Sequence, residues 1–172
     1  MVRRYIVLLI FALWMGGFTF YTLIVIPTGG KVLDGGERDV GFITQQITNW
    51  LNWIGVVALA ILGWNARVEG RGFLRWLLAV CWLAMAVTLV ALFCLHPVLD
   101  RMLDTETHQI HGGAIFFNWH RAYMAVASFQ WLAALAFMWL TLLAWRTTDR
   151  KKAQDSIAAT ESVAVISQYK TD

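Results

Sequence analysis

The chain has 172 residues, of which 59% are hydrophobic and 15% are charged, and its mean hydropathy is +0.58. This composition lies outside the range of soluble globular proteins, and the length is that of a single domain. The formal net charge of +3 does not indicate a nucleic-acid partner, because basic residues in a membrane protein mainly report its orientation. The composition therefore predicts an integral membrane protein whose main partner is the lipid bilayer.

Four apolar segments follow one another along the chain. Helices are predicted over residues 5–26, 50–66, 73–95 and 122–145, each inside an uncharged window longer than the roughly 20 residues that cross about 30 Å of hydrocarbon. Pro27 is expected to end the first helix, because proline disfavours a helical conformation in the residue before it. The predicted fold class is all-α, a polytopic antiparallel bundle of four transmembrane helices over residues 1–146.

Basic residues are divided unequally between the two ends of these helices. Four lie at one end, namely Lys31, Arg38, Arg101 and Arg121. Nine lie at the other end, namely Arg3, Arg4, Arg67, Arg71, Arg75, Arg146, Arg150, Lys151 and Lys152. By the positive-inside rule, this asymmetry predicts that both termini lie in the cytoplasm.

The segment over residues 147–172 differs from the rest of the chain. It is polar, mixed in charge and poor in large apolar residues. Such a segment cannot bury enough apolar surface to fold alone, so it is predicted to be a disordered or loosely helical cytoplasmic tail.

All four histidines lie between the end of the third predicted helix and the start of the fourth, at positions His96, His108, His111 and His120. The third and fourth helices enclose this connection, so His96 and His120 could come close enough for two imidazoles to bind copper, zinc or haem iron. Cys94 or Met102 could assist, and a soft sulfur ligand would favour copper. Alternatively, the histidines are interfacial residues without a ligand, because their spacing is too sparse for a metal signature.

Four polar residues beside these histidines favour a structural cluster. An ion pair between Asp100 and Arg121 would connect the outer ends of the third and fourth helices. Asn118 would cap the start of the fourth helix, and Tyr123 follows it one turn later. The sequence contains no catalytic motif, and no ionisable residue lies in the middle of a predicted span, which argues against a proton-coupled pump.

Several motifs, taken in order, resemble one family. Residues 14–20 (WMGGFTF) with 25–27 (VIP), residues 95–100 (LHPVLD) and residues 119–123 (WHRAY) resemble the four-helix bacterial membrane family of unknown function that is related to eukaryotic transmembrane protein 205. That family is distantly similar to the copper-resistance D proteins and to haem-binding membrane protoporphyrinogen oxidases. The resemblance implies a role for His96 and His120 in binding metal or haem, and leaves the other two histidines outside any matched motif.

Three hypotheses for function follow from these patterns. The first is a non-enzymatic integral membrane protein whose cluster at the outer ends of helices three and four stabilises the bundle or docks a partner. The second is a copper- or haem-binding membrane protein that uses His96 and His120. The third is a small subunit of a larger membrane complex, or a homo-oligomer.

Overall fold

The computed structural model describes residues 2–33, 37–69, 72–104, 109–110 and 113–169, with side chains described over 2–33, 40–69, 72–103 and 113–160. The four helices are Val2–Val32, Glu37–Glu69, Gly72–Asp100 and Ala114–Tyr169. Between the last two, Leu103–Asp104 pairs antiparallel with Gln109–Ile110. Each helix contains a stretch long and apolar enough to cross a membrane. The predicted all-α bundle of four transmembrane helices is confirmed, and the chain is a multi-pass integral membrane protein.

The first helix continues past Pro27, so the end predicted there is wrong. Its backbone is α-helical up to Phe20, π-helical over Tyr21–Val25 and α-helical again over Ile26–Val32. The Ile26 N–H donates to the Tyr21 carbonyl, five residues earlier. Proline lacks an N–H and its ring crowds the carbonyl four residues before it, so a wider turn directly ahead of Pro27 lets the helix continue.

The second and third helices also extend beyond their predicted bounds. The second begins at Glu37 instead of residue 50, and the third passes through Pro97 and ends at Asp100 instead of residue 95. Hydropathy reports only the part of a helix that lies in hydrocarbon, whereas backbone hydrogen bonding continues into the polar sequence that flanks it. The added turns carry most of the polar residues at one end of the bundle.

The fourth helix is the longest element, with 56 residues from Ala114 to Tyr169. It follows Gly113, whose positive φ of 45° suits a glycine at a chain reversal. No glycine or proline occurs after that position, so no helix-breaking residue separates the membrane span from the tail. The structure therefore has a helix up to Tyr169 where a disordered or loosely helical tail was predicted, with exposed side chains over residues 149–160.

Large side chains pack against two glycines of the second helix. A Cβ atom on Gly63 would lie 2.7 Å from the Trp82 indole nitrogen, and a Cβ on Gly55 would lie 2.9 Å from that of Trp14. The Trp82 indole N–H donates to the Leu59 carbonyl over 2.8 Å. These contacts hold the first and third helices on the second, around fully buried side chains that include Val7, Leu62, Leu78, Met85 and Phe137.

One end of the bundle, here named the basic end, carries Arg3 and Arg4. Arg3 forms an ion pair with the buried Glu69 of the second helix. Arg4 donates two hydrogen bonds, of 2.7 and 2.8 Å, to the Asp149 carboxylate of the fourth helix. Its guanidinium also lies 5.2 Å from the ring centre of Trp145. Paired charges thus connect three of the four helices at this end.

Candidate functional site

The opposite end of the bundle, here named the histidine end, carries His96 and His120. A groove of about 310 Å³ opens there between the second and third helices. One face of each helix lines it: Gln45, Gln46, Asn49 and Trp53 from the second, and Phe93, His96, Pro97 and Asp100 from the third. We call this feature the histidine-end groove.

Among the described residues, Asp100 is the acidic one that lines the groove. Its Oδ2 atom lies 3.6 Å from Nε2 of His96, one helical turn earlier, which is outside ordinary hydrogen-bond distance. Its Oδ1 atom is buried, and no described residue donates a hydrogen bond to it. About a third of the Asp100 side chain is exposed, at 33%. This carboxylate is therefore without hydrogen-bond donors from the described part of the bundle, although a carboxylate can accept several.

Aromatic rings and amides form the remaining wall of the groove. The rings of Trp53 and Phe93 meet edge to face, with their centres 5.3 Å apart. Trp53 is 56% exposed, so its indole remains available at the surface of the bundle. Gln45, Gln46 and Asn49 add neutral amides that both donate and accept hydrogen bonds. The groove thus combines one negative charge, an aromatic surface and neutral polar groups.

Tyr123 connects the groove to a deeper polar cluster. It is 7% exposed, its ring centre lies 6.4 Å from that of His96, and its hydroxyl is hydrogen-bonded to the side chains of Asn52 and Thr48. The amide nitrogens of Asn52 and Gln130 are buried without a partner among the described residues. Both residues line a cavity of about 10 Å³, which is room for one water molecule. The cluster is too small to hold a larger ligand.

The two histidines selected by the sequence have different surroundings. His96 is mostly buried beside Asp100, with 13% of its side chain exposed. His120 is exposed, and its ring stacks on Phe116 with the ring centres 6.0 Å apart. Over the described side chains, no three His, Cys, Asp or Glu residues are grouped to hold a metal ion. The structure thus places both imidazoles at this end in contact with different aromatic rings, and copper or haem binding by this pair stays a prediction.

Other residues of the predicted cluster are arranged differently from the expectation. Asp100 lies beside His96, with Oδ2 and Nε2 3.6 Å apart, and Arg121 is exposed on the fourth helix. Asn118 cannot cap that helix, because the helix begins four residues earlier at Ala114. Of the two sulfur candidates, Cys94 is exposed and Met102 packs against a small apolar cluster that includes Tyr123. His108 and His111 lie outside the described residues.

The three amides of the groove were not identified from the sequence. Gln45, Asn49 and Trp53 are spaced four residues apart, which places them on one face of a helix. Gln45 and Asn49 lie before residue 50, where the second helix was predicted to begin, so their spacing was not assigned to a helix. The second helix begins at Glu37, and both residues therefore lie within it.

Comparisons with known proteins do not extend this description: no protein-family model, curated protein or solved structure matches the chain. The resemblance to the four-helix family related to transmembrane protein 205 therefore stays a prediction. By its structure, the chain belongs to the class of multi-pass membrane proteins with four helices.

Proposed function

We propose that this chain is a non-enzymatic membrane protein that binds a small ligand in the histidine-end groove. The observation that carries the proposal is Asp100, a carboxylate at a groove of about 310 Å³ that receives no hydrogen bond from the described residues. Unmet polar groups in a concave, partly aromatic site are typical of ligand-binding pockets, whose volumes begin near 300 Å³.

Binding is a better interpretation than catalysis because of the chemistry of the lining. The neutral polar groups at the groove are the amides of Gln45, Gln46 and Asn49, which orient ligands through hydrogen bonds and seldom react. His96 and Asp100 form a dyad that could orient a proton, but the described lining of the groove contributes no hydroxyl or thiol for them to activate. The positive-inside rule supports an orientation with the groove on the outer side of the bacterial inner membrane.

Native mass spectrometry of the protein purified with its own lipids would test this proposal. Wild-type protein should retain a bound small molecule, and Gln46→Trp, which fills the groove, should release it. Val57→Trp is the matched control, since it adds the same ring to an exposed position of the same helix, outside the groove. Retention by Gln46→Trp, or wild-type protein that carries no ligand, would contradict a binding role.

A further inference from the structure

We infer that the histidine-end groove binds an organic ammonium group, an inference that rests on the proposed binding role of that groove. Two features of the groove lining carry it, the Asp100 carboxylate and the aromatic residues Trp53 and Phe93. A primary ammonium is the ligand chemistry that satisfies both features at once, because it donates N–H hydrogen bonds and also binds over an aromatic face. A quaternary ammonium has no N–H and interacts only through its charge and with the aromatic rings.

The charge of the groove selects a cation. Among the side chains that the structure describes, Asp100 is the acidic one that lines the groove and no Lys or Arg lines it, so an anionic ligand would meet like charge there. The carboxylate lacks hydrogen-bond donors from the described residues, and an ammonium supplies up to three. The amide oxygens of Gln45 and Asn49 are further acceptors on the facing helix.

The same groove is poorly suited to a metal cation. Calcium takes six to eight oxygen ligands, commonly from several carboxylates, whereas one carboxylate lines this groove. The described side chains include no group of three acidic, cysteine or histidine residues. An organic cation needs fewer charged ligands, because part of its stabilisation comes from aromatic rings.

Those rings are present at the required position. Trp53, the aromatic residue that best stabilises a cation over its face, borders the groove and is 56% exposed. The rings of Trp53 and Phe93 meet at 69° with their centres 5.3 Å apart, and both residues line the groove. An ammonium that contacts both Trp53 and Asp100 would contact both helices. Because Trp53 also faces the lipid side of an apolar span, the ammonium could belong to a lipid headgroup or to a free amine.

The test uses the full chain in nanodiscs made of phosphatidylglycerol, a lipid without an ammonium group. In the first arm, phosphatidylethanolamine is added in increasing amounts and the lipids retained by the released protein are counted by native mass spectrometry. In the second arm, saturation-transfer NMR measures binding of free ethanolamine and of tetramethylammonium. Enrichment of phosphatidylethanolamine identifies a lipid headgroup as the source, whereas binding in the second arm alone identifies a free amine.

Substitutions at the groove should weaken whichever ammonium binds. Asp100→Asn should reduce the binding of a primary ammonium about tenfold, as expected for a lost charge-assisted hydrogen bond. Trp53→Leu should reduce it roughly threefold, as expected for a partly exposed cation–π contact. Asp155→Asn and Trp50→Leu are the matched controls, since each removes the same group from an exposed position outside the groove.

Two results would overturn the inference. One is equal retention of both lipids together with no binding of either free amine, and the other is unchanged ammonium binding by both groove variants in protein with wild-type helix content. If another molecule is released by Gln46→Trp while no ammonium binds, the ammonium inference fails and the binding role stands. If Gln46→Trp releases nothing either, both fail.

Discussion

The two ends of the bundle treat their acidic residues differently. At the basic end, Glu69 is 8% exposed and paired with Arg3, while Asp149 receives two hydrogen bonds from Arg4. At the histidine end, the one partner of Asp100 among the described residues is His96, at 3.6 Å. Carboxylates that pair with a guanidinium contribute to holding helices together, whereas a carboxylate without a hydrogen-bond donor at a groove costs stability unless water or a ligand satisfies it. The contrast indicates a structural role for the charge pairs of the basic end and supports the binding role proposed for the histidine end.

The largest expected effect is a loss of stability when an ion pair at the basic end is broken. Glu69→Gln should lower the free energy of unfolding by about 2 kcal/mol, because it leaves the Arg3 guanidinium without its partner in a mostly buried site. Asp100→Asn should change it by less than about 0.5 kcal/mol, since no described hydrogen bond is lost. Reversible unfolding in mixed detergent micelles measures both values. Equal losses at the two ends would contradict the contrast.

A smaller loss is expected where an indole packs on the second helix. Gly63→Ala should lower the free energy of unfolding by about 1.5 kcal/mol, because the new methyl group would displace Trp82 from its bond to the Leu59 carbonyl. Gly16→Ala is the matched control in another helix, since nothing lies within 4 Å of its added Cβ. The same unfolding measurement applies, and a Gly63→Ala protein as stable as the control would show that the indole moves aside without cost.

The smallest effects concern the two histidines, and they separate ligand binding from metal binding. His96→Ala should weaken ligand binding in the groove by about threefold through the loss of one polar contact, whereas His120→Ala should leave it unchanged. If the pair instead binds copper or haem, both variants should lose the metal equally. Metal analysis and a visible spectrum of wild-type protein and both variants distinguish these outcomes.

The helices were predictable from sequence because hydrocarbon imposes a minimum length on any apolar span. Their ends were less predictable. The helix through Pro27 depends on a local π turn, and the extension of the fourth helix to Tyr169 depends on the lack of a stop signal more than on apolar content. Polar sequence that borders a span can be helix or loop by hydropathy alone.

Only part of the candidate site could be predicted. His96 and Asp100 were recognised because they are unusual beside an apolar span. The pairing of Arg3 with Glu69 joins residues 66 positions apart, and no local pattern specifies such a partner. Likewise, the contact between Trp53 and Phe93 depends on how the second and third helices pack. Contacts within one helix can be predicted from residue spacing, whereas contacts between helices also depend on how the helices align against each other.

The uninterrupted fourth helix has a consequence for anything attached near its C-terminal end. From Trp145 to Tyr169 it continues for 24 further residues, or about 36 Å at 1.5 Å per residue. A fluorophore placed at residue 160 would therefore stand at a fixed height above the bundle, about 22 Å beyond Trp145, and would not collapse onto the membrane surface as a flexible tether does. The helix thus sets a fixed distance between the bundle and a group attached to its C-terminal part at the basic end.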